Sequence, residues 1–234
     1  MSSPDQLTIA LSKLPNFDPR TVAVAGIDRH LPAVPRSALT PDALRARFGQ
    51  SRPWQPEIAT ERPWTTQAAV RASVLVPIVT REQPTVILTE RTTHLSTHSG
   101  QVAFPGGKQD ESDVDAAHTA LREAHEEIGL EHRFVEVIGE LPTYTTGSRF
   151  IITPVIALVS PDHALKLNAY EVADAFEVPL EFLMNPAHHR HHVMELDSGR
   201  REWLSMPYMD GGSERFVWGA TAAMLRNLYR FLVA

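Results

Sequence analysis

Between Arg122 and Leu130 the chain reads Arg-Glu-Ala-His-Glu-Glu-Ile-Gly-Leu, a stretch that begins fifteen residues after Gly107. Glu123, Glu126 and Glu127 stand at spacings of three and four, which on a helix bring side chains above one another. Like charges held that way repel unless something positive sits against them. A hard divalent cation is the natural partner. Mg²⁺ or Mn²⁺ takes oxygen ligands, and Mg²⁺ in particular binds a few carboxylates, several waters and the phosphates of its substrate. A solvated acidic helix face has the same pattern, so the flanking segments must decide between the two.

Those segments define what positions the acids. Ala117, Leu121, Ala124 and Ile128 recur at helical spacing and predict one apolar stripe, with Glu123, Glu126 and Glu127 on an arc facing away from it. Asp113 or Asp115 can cap the N-terminus, and Gly129 sits where a left-handed residue ends a helix. Upstream, Gly100 to Phe104 reads as a short strand that stops at Pro105-Gly106-Gly107, before a polar loop starting at Lys108. Two glycines there permit positive φ and close approach of the backbone to a ligand.

Glycine pair, acidic helix and Arg122-Glu123 together resemble the Nudix box, whose pattern is Gly, five residues, Glu, seven residues, then Arg-Glu-apolar-x-Glu-Glu-x-Gly-apolar. The second half matches at every specified position. In the first half, counting back from Arg122 puts Val114 at the glutamate position and Lys108 at the glycine position; one extra residue restores Gly107 and Asp113 to those roles. The resemblance implies Glu123, Glu126 and Glu127 as ligands of Mg²⁺ or Mn²⁺, with Arg122 bracing the helix and Gly129 closing it.

The preceding run from Ile87 to Gly107 looks like the signature of coenzyme A pyrophosphatases, differing at Glu90 and Ser96, where that signature often has lysine and arginine. Similarity continues through Asn168 to Val172, Val178 to Leu180 and Trp218 to Ala222. It implies an α+β fold, the Nudix-type α/β/α sandwich with a mixed β-sheet, over residues 66–234. The expected reaction is metal-dependent hydrolysis of a pyrophosphate bond in coenzyme A or its derivatives, giving 3′,5′-ADP and 4′-phosphopantetheine. Alternatives are another nucleoside diphosphate derivative (ADP-ribose, NADH) or a nucleoside triphosphate as substrate, and a non-catalytic nucleotide-binding module. Expected substrate-binding residues are Arg91, His98, Gly106, Gly107 and Lys108. Glu126, Glu127 and Glu171 are the candidate catalytic carboxylates, Glu171 standing in a segment like the family's downstream Glu-Val.

Composition agrees. The chain has 234 residues, enough for one sizeable core with an appendage. Cysteine is absent, which excludes disulfides, thiolate catalysis and Cys-ligated zinc. A formal charge of -6 without a run of lysine or arginine argues against a nucleic-acid surface. No basic start leads into a long apolar run, so the expectation is a soluble cytoplasmic protein without a membrane partner; a homodimer stays open. Residues 1–65 read as an N-terminal extension, with Pro-rich stretches at 32–41 and 53–63 around a short helix at 41–48. Strands are predicted at 70–79, 84–90, 100–104, 134–141 and 150–159, with a turn at 145–148. A short helix at 181–185, a hairpin of 191–196 with 201–209, and a last helix at 220–232 complete the reading. Consecutive histidines at 188–192 alternate faces in a strand and do not converge on one ion. Tyr144, Phe150, Trp203 and Trp218 suit either adenine stacking or the core.

Overall fold

The computed structural model describes residues 7–92 and 100–234. In chain order its strands begin with β1 (Val24–Ile27), β2 (Val70–Val79), β3 (Thr85–Arg91), β4 (Val102–Ala103), β5 (Gly106–Lys108) and β6 (Val135–Glu140). They continue with β7 (Tyr144–Thr145), β8 (Phe150–Val159), β9 (Val172–Pro179), β10 (Arg190–Met194), β11 (Arg201–Asp210) and β12 (Ser213–Trp218). The α-helices are α1 (Pro41–Phe48), α2 (Ala116–Ile128), α3 (Leu180–Leu183) and α4 (Gly219–Val233).

β2 and β8 are near-continuous apolar runs, as strands covered on both faces must be, and they pair in parallel along their whole length, from Val70 opposite Phe150 to Val79 opposite Val159. The remaining pairings of this sheet are antiparallel, in the order β4-β3-β2-β8-β6, with β5 on β2, β7 on β8 and β9 on β3. Side chains alternate across β2. Leu75 and Val79 meet Ala120, Ala124 and Ile128 of α2 on one face. Val76 and Ile78 join α1, α4 and the second sheet on the other. That second sheet is antiparallel, in the order β1-β10-β11-β12. The architecture is therefore α+β with a mixed sheet between helical layers, as expected.

Most long elements lie where the sequence puts them. The differences have physical reasons. The strand predicted at 100–104 shrinks to β4, and the glycine pair read as loop forms β5 because glycine carries no strand signal of its own. β1, β9 and β12 are strands beyond those the sequence predicts; each is interrupted by charged or small residues, β1 and β9 are completed by pairing to distant strands, and β12 folds back on β11 as a hairpin. The predicted helix at 181–185 is the four-residue α3.

Residues ahead of β2 pack into the larger core, where Val34, Leu39 and Leu44 are buried. Arg47 donates from Nε and Nη2 to the Phe231 carbonyl at the end of α4. Arg226 of α4, 1% exposed, pairs with Asp28 at 2.9 Å and Glu57 at 2.8 Å. A guanidinium so far from water is tolerable only with such partners. Leu44→Ala is therefore expected to lower the stability of the whole chain by about 3 kcal/mol while unfolding stays a single transition. Urea denaturation followed by circular dichroism and tryptophan fluorescence checks it; a separate early transition would mean that α1 folds independently of the sheet.

Candidate active site

α2 is bounded as its sequence suggests. Asp115 accepts from the His118 N–H at 2.7 Å as N-cap, and Gly129 closes the C-terminus at φ 66°. A Cβ on Gly129 would stand 2.8 Å from the Lys166 carbonyl, so both conformation and space require glycine. The buried face is wider than the predicted stripe. Ala120, Ala124 and Ile128 form its centre, Ala117 and Leu121 are only half-buried, and Glu127 lies within it at 4% exposure. The expectation that all three acids face away from the apolar side is thus wrong for Glu127, which stands three residues after Ala124 and is covered by the sheet. Glu123 is half-buried, whereas Glu126 is exposed.

β5 runs beside this helix, and its glycines make room for protein atoms. A Cβ on Gly106 would meet the Ser73 carbonyl at 2.4 Å and Val74 Cα at 2.6 Å; one on Gly107 would meet the Glu123 carboxylate at 2.5 Å. The Gly106 N–H donates to Glu127 Oε2 at 3.2 Å. Close approach to a ligand was expected here, but the Gly106 amide is occupied by a carboxylate of α2.

Arg122 braces the acids. It donates to Asp113 Oδ1 and Oδ2 at 3.1 and 2.9 Å, to Glu123 at 3.0 Å, to Glu126 at 3.2 Å and to the Lys108 carbonyl at 3.0 Å. Asp113 also accepts from the Asp110 N–H and contacts His118 Nδ1, both at 2.8 Å. Pairing with Arg122 holds the Asp113 carboxyl far below its ordinary range and raises the guanidinium above its own. Val114, one residue on, is 82% exposed. The buried acid is Asp113, so the one-residue offset seen in the sequence is absorbed by putting Val114 in solvent.

Burial dominates at Glu127 and raises its carboxyl to about 7, against the Gly106 N–H and Arg91, which lower it; the charges of Glu123 and Glu171 add smaller increases. Burial also raises Glu123. Arg91 approaches Glu127 Oε1 at 3.7 Å from the end of β3. Glu171 is held by Asn168, whose Nδ2 donates to its Oε1 at 3.2 Å. Asn168 in turn donates from its backbone N–H to the Glu127 carbonyl at 2.9 Å, and the Thr92 N–H donates to the Glu171 carbonyl at 3.1 Å. Lys108 is exposed, with its ammonium 5.8 Å from the Phe150 ring centroid. The structure therefore gathers Glu123, Glu127, Glu171, Arg91, Gly106 and Gly107, ties Glu126 in through Arg122, and turns Lys108 toward Phe150. His98 lies outside the described residues. Asn168 and Thr92 are positioning groups that the sequence does not single out: the Asn168 side chain reaches Glu171 locally, but its backbone bond to Glu127 and that of Thr92 to Glu171 join segments distant in sequence.

Carboxylates pushed toward their protonated form by burial and by one another fit the donor set of a hard cation. Among the described residues no three acidic or histidine side chains enclose one by themselves, so water and phosphate oxygens would complete its shell, as Mg²⁺ prefers.

Residues 69–196 match the model of the NUDIX domain. Proteins titled "Uncharacterized Nudix hydrolase NudL" are similar over most of their length: that of Escherichia coli is 40% identical over 194 residues, 82% of this chain and 94% of the relative. That of Enterobacter sp. (strain 638) is 39% identical over 191 residues, 81% and 93% of the two chains. A solved MutT/nudix family protein from Enterococcus faecalis is 15% identical, with a TM-score of 0.44 over 82% of this chain and 69% of that one. The chain belongs to the Nudix hydrolase family, enzymes that split pyrophosphate bonds, generally with divalent cations such as Mg²⁺ or Mn²⁺.

Two outcomes are expected. Gly107→Ala displaces only the flexible end of Glu123, so turnover falls by tenfold or more with the melting temperature nearly unchanged; Gly106→Ala collides with backbone and lowers the melting temperature itself. Steady-state assays beside calorimetry separate the pair. Second, Glu127 binds its proton more tightly folded than unfolded between about pH 4.5 and 7, so its contribution to stability declines as pH rises through that window and stays unfavourable above it. Glu127→Gln should stabilise the cation-free protein at pH 8 by on the order of 2 kcal/mol, with the gain disappearing near pH 4.5; urea midpoints at the two pH values test this.

Proposed function

We propose that this enzyme hydrolyses the pyrophosphate bond of coenzyme A or its derivatives, releasing 3′,5′-ADP and 4′-phosphopantetheine. The observation that carries the hydrolytic reading is Glu123, braced by Arg122, beside the buried Glu127, both set against β5 with Glu171 and Arg91 nearby. The choice of coenzyme A rests on the likeness of Ile87 to Gly107 to the signature of that subgroup.

Glu123 and Glu127 would hold Mg²⁺ or Mn²⁺, with Glu126 completing the set once released from Arg122. When bound, the cation neutralises pyrophosphate oxygens and polarises the bond to be broken. Arg91 offers a guanidinium to the substrate phosphates, and Lys108 adds a positive charge at the far end of β5. Glu171, oriented by Asn168, takes a proton from the attacking water. The water oxygen then forms the new P–O bond as the anhydride P–O bond breaks, and the leaving phosphate departs with the electron pair. A glutamate of the Arg122–Leu130 stretch not engaged with the cation is the other carboxylate able to accept that proton.

Pure enzyme incubated with coenzyme A and Mg²⁺ or Mn²⁺ should yield both products by chromatography. Neither product, with ADP-ribose, NADH or a nucleoside triphosphate cleaved instead, would move the enzyme to another substrate class. Glu127→Gln should lose turnover by a factor of at least 10² with folding intact, and near-normal activity in that variant would remove Glu127 from the cation site.

A further inference from the structure

A hollow of about 360 Å³ lies on the second sheet, lined by Ile27, Arg29, Ala187, His188, Arg190 and Pro207. None of these residues belongs to the carboxylate site. The strand register brings the two arginines to it: Arg190 opens β10 directly opposite Ile27 of β1. Arg29 follows two residues later, its N–H turned back onto the Ile27 carbonyl at 2.9 Å. His188 stacks on Phe182, with ring centroids 4.0 Å apart at 19°, and forms a flat wall.

The charges in this hollow are uncompensated. The acids nearest in sequence are committed elsewhere: Asp28 pairs with His191 at 2.7 Å and Arg226 at 2.9 Å, and Glu181 pairs with Arg36 at 2.8 Å. Neither the Arg29 nor the Arg190 guanidinium has an ion-pair or hydrogen-bond partner among the described residues. In a chain of formal charge -6, where most arginines are paired, two such groups converging on one concavity are an exception. Partial burial, with Arg190 adding to it, lowers the pKa of the His188 imidazole.

We propose that this hollow is a second binding site, distinct from the carboxylate site, that takes a phosphoryl group, free or as a phosphomonoester. Two guanidinium forks, one from the start of β10 and one from the turn after β1, can each hold two oxygens of a tetrahedral anion. The volume is in the range of small-molecule sites, and the His188–Phe182 wall gives a planar moiety attached to the phosphate a surface to lie on. The site does not depend on which pyrophosphate the enzyme cleaves.

Calorimetric titration of the cation-free protein with inorganic phosphate, and separately with AMP, tests it on wild type, on Arg29→Gln/Arg190→Gln and on Arg91→Ala. Phosphate affinity should fall at least tenfold in the double variant and be retained in Arg91→Ala, and should weaken as NaCl is raised. Arg190→Lys, which keeps the charge and loses the fork, should fall between. AMP binding more tightly than phosphate identifies a phosphomonoester as the ligand form; equal affinities identify the free anion. The double variant should retain wild-type turnover, since its positions are exposed and outside the carboxylate site. Equal phosphate affinity in wild type and double variant, or loss of binding in Arg91→Ala, would overturn the proposal.

Discussion

The burial of a carboxylate between a helix and a sheet governs this site. An ionised Glu127 surrounded by protein is unfavourable by itself, and the polar groups nearest to it either lessen that cost or add to it. The Gly106 amide and the Arg91 guanidinium lessen it; Glu123 and Glu171 add to it. In the proposed function that residual cost has a use, because a cation seated beside the buried carboxylates would offset it. The brace around Arg122 answers a different need. It fixes the helix that carries the acids without touching Glu127, so the charge balance at the centre is left for the ligand to complete.

Distant segments support this arrangement. Asn168 joins the last turn of α2 to Glu171, which makes the relative placement of Glu127 and Glu171 depend on one amide side chain and its backbone. The N-terminal stretch is tied to α4 through Arg226, Asp28 and Glu57, with Arg230 also reaching Glu57. Replacing such a network by apolar groups can be neutral in stability, whereas removing one member leaves a buried charge alone. Arg215 is similarly placed on the second sheet, meeting Glu90, Asp174 and Asp210. Glu90, one of two departures from the subgroup signature, thus has a partner within this chain.

Much of this was legible in the residues. The limits of α2 follow from Asp115 and Gly129, and β2, β3 and β8 follow from unbroken apolar runs. The acid triplet stands out by spacing, and its role, like that of Arg122, comes from the resemblance to the Nudix box. What escaped was set by tertiary contact. A helical wheel gives angles but not the width of the face a sheet will cover, so Glu127, on the arc facing away from the apolar stripe, is nonetheless buried. β9 and β12 carry Asp174, Glu177, Glu214 and Arg215, whose partners elsewhere in the fold, Arg215, Arg81, Arg20 and Glu90 among them, make those positions tolerable. Glycine at 106 and 107 has no side chain from which a strand could be read, although at 106 a side chain would collide with the backbone of β2 and at 107 with the Glu123 carboxylate.

The exposed Val114 has an implication for how such sites are found. The acid that braces Arg122 is reached by a loop one residue longer than the usual pattern, and the loop accommodates the surplus by letting a single side chain project outward. Contact between acid and arginine survives a change in the count that separates them. A search that demands fixed intervals between these residues would discard this chain, while one that asks which carboxylate can touch the arginine would keep it; insertion tolerance, more than residue identity, sets the boundary of the motif.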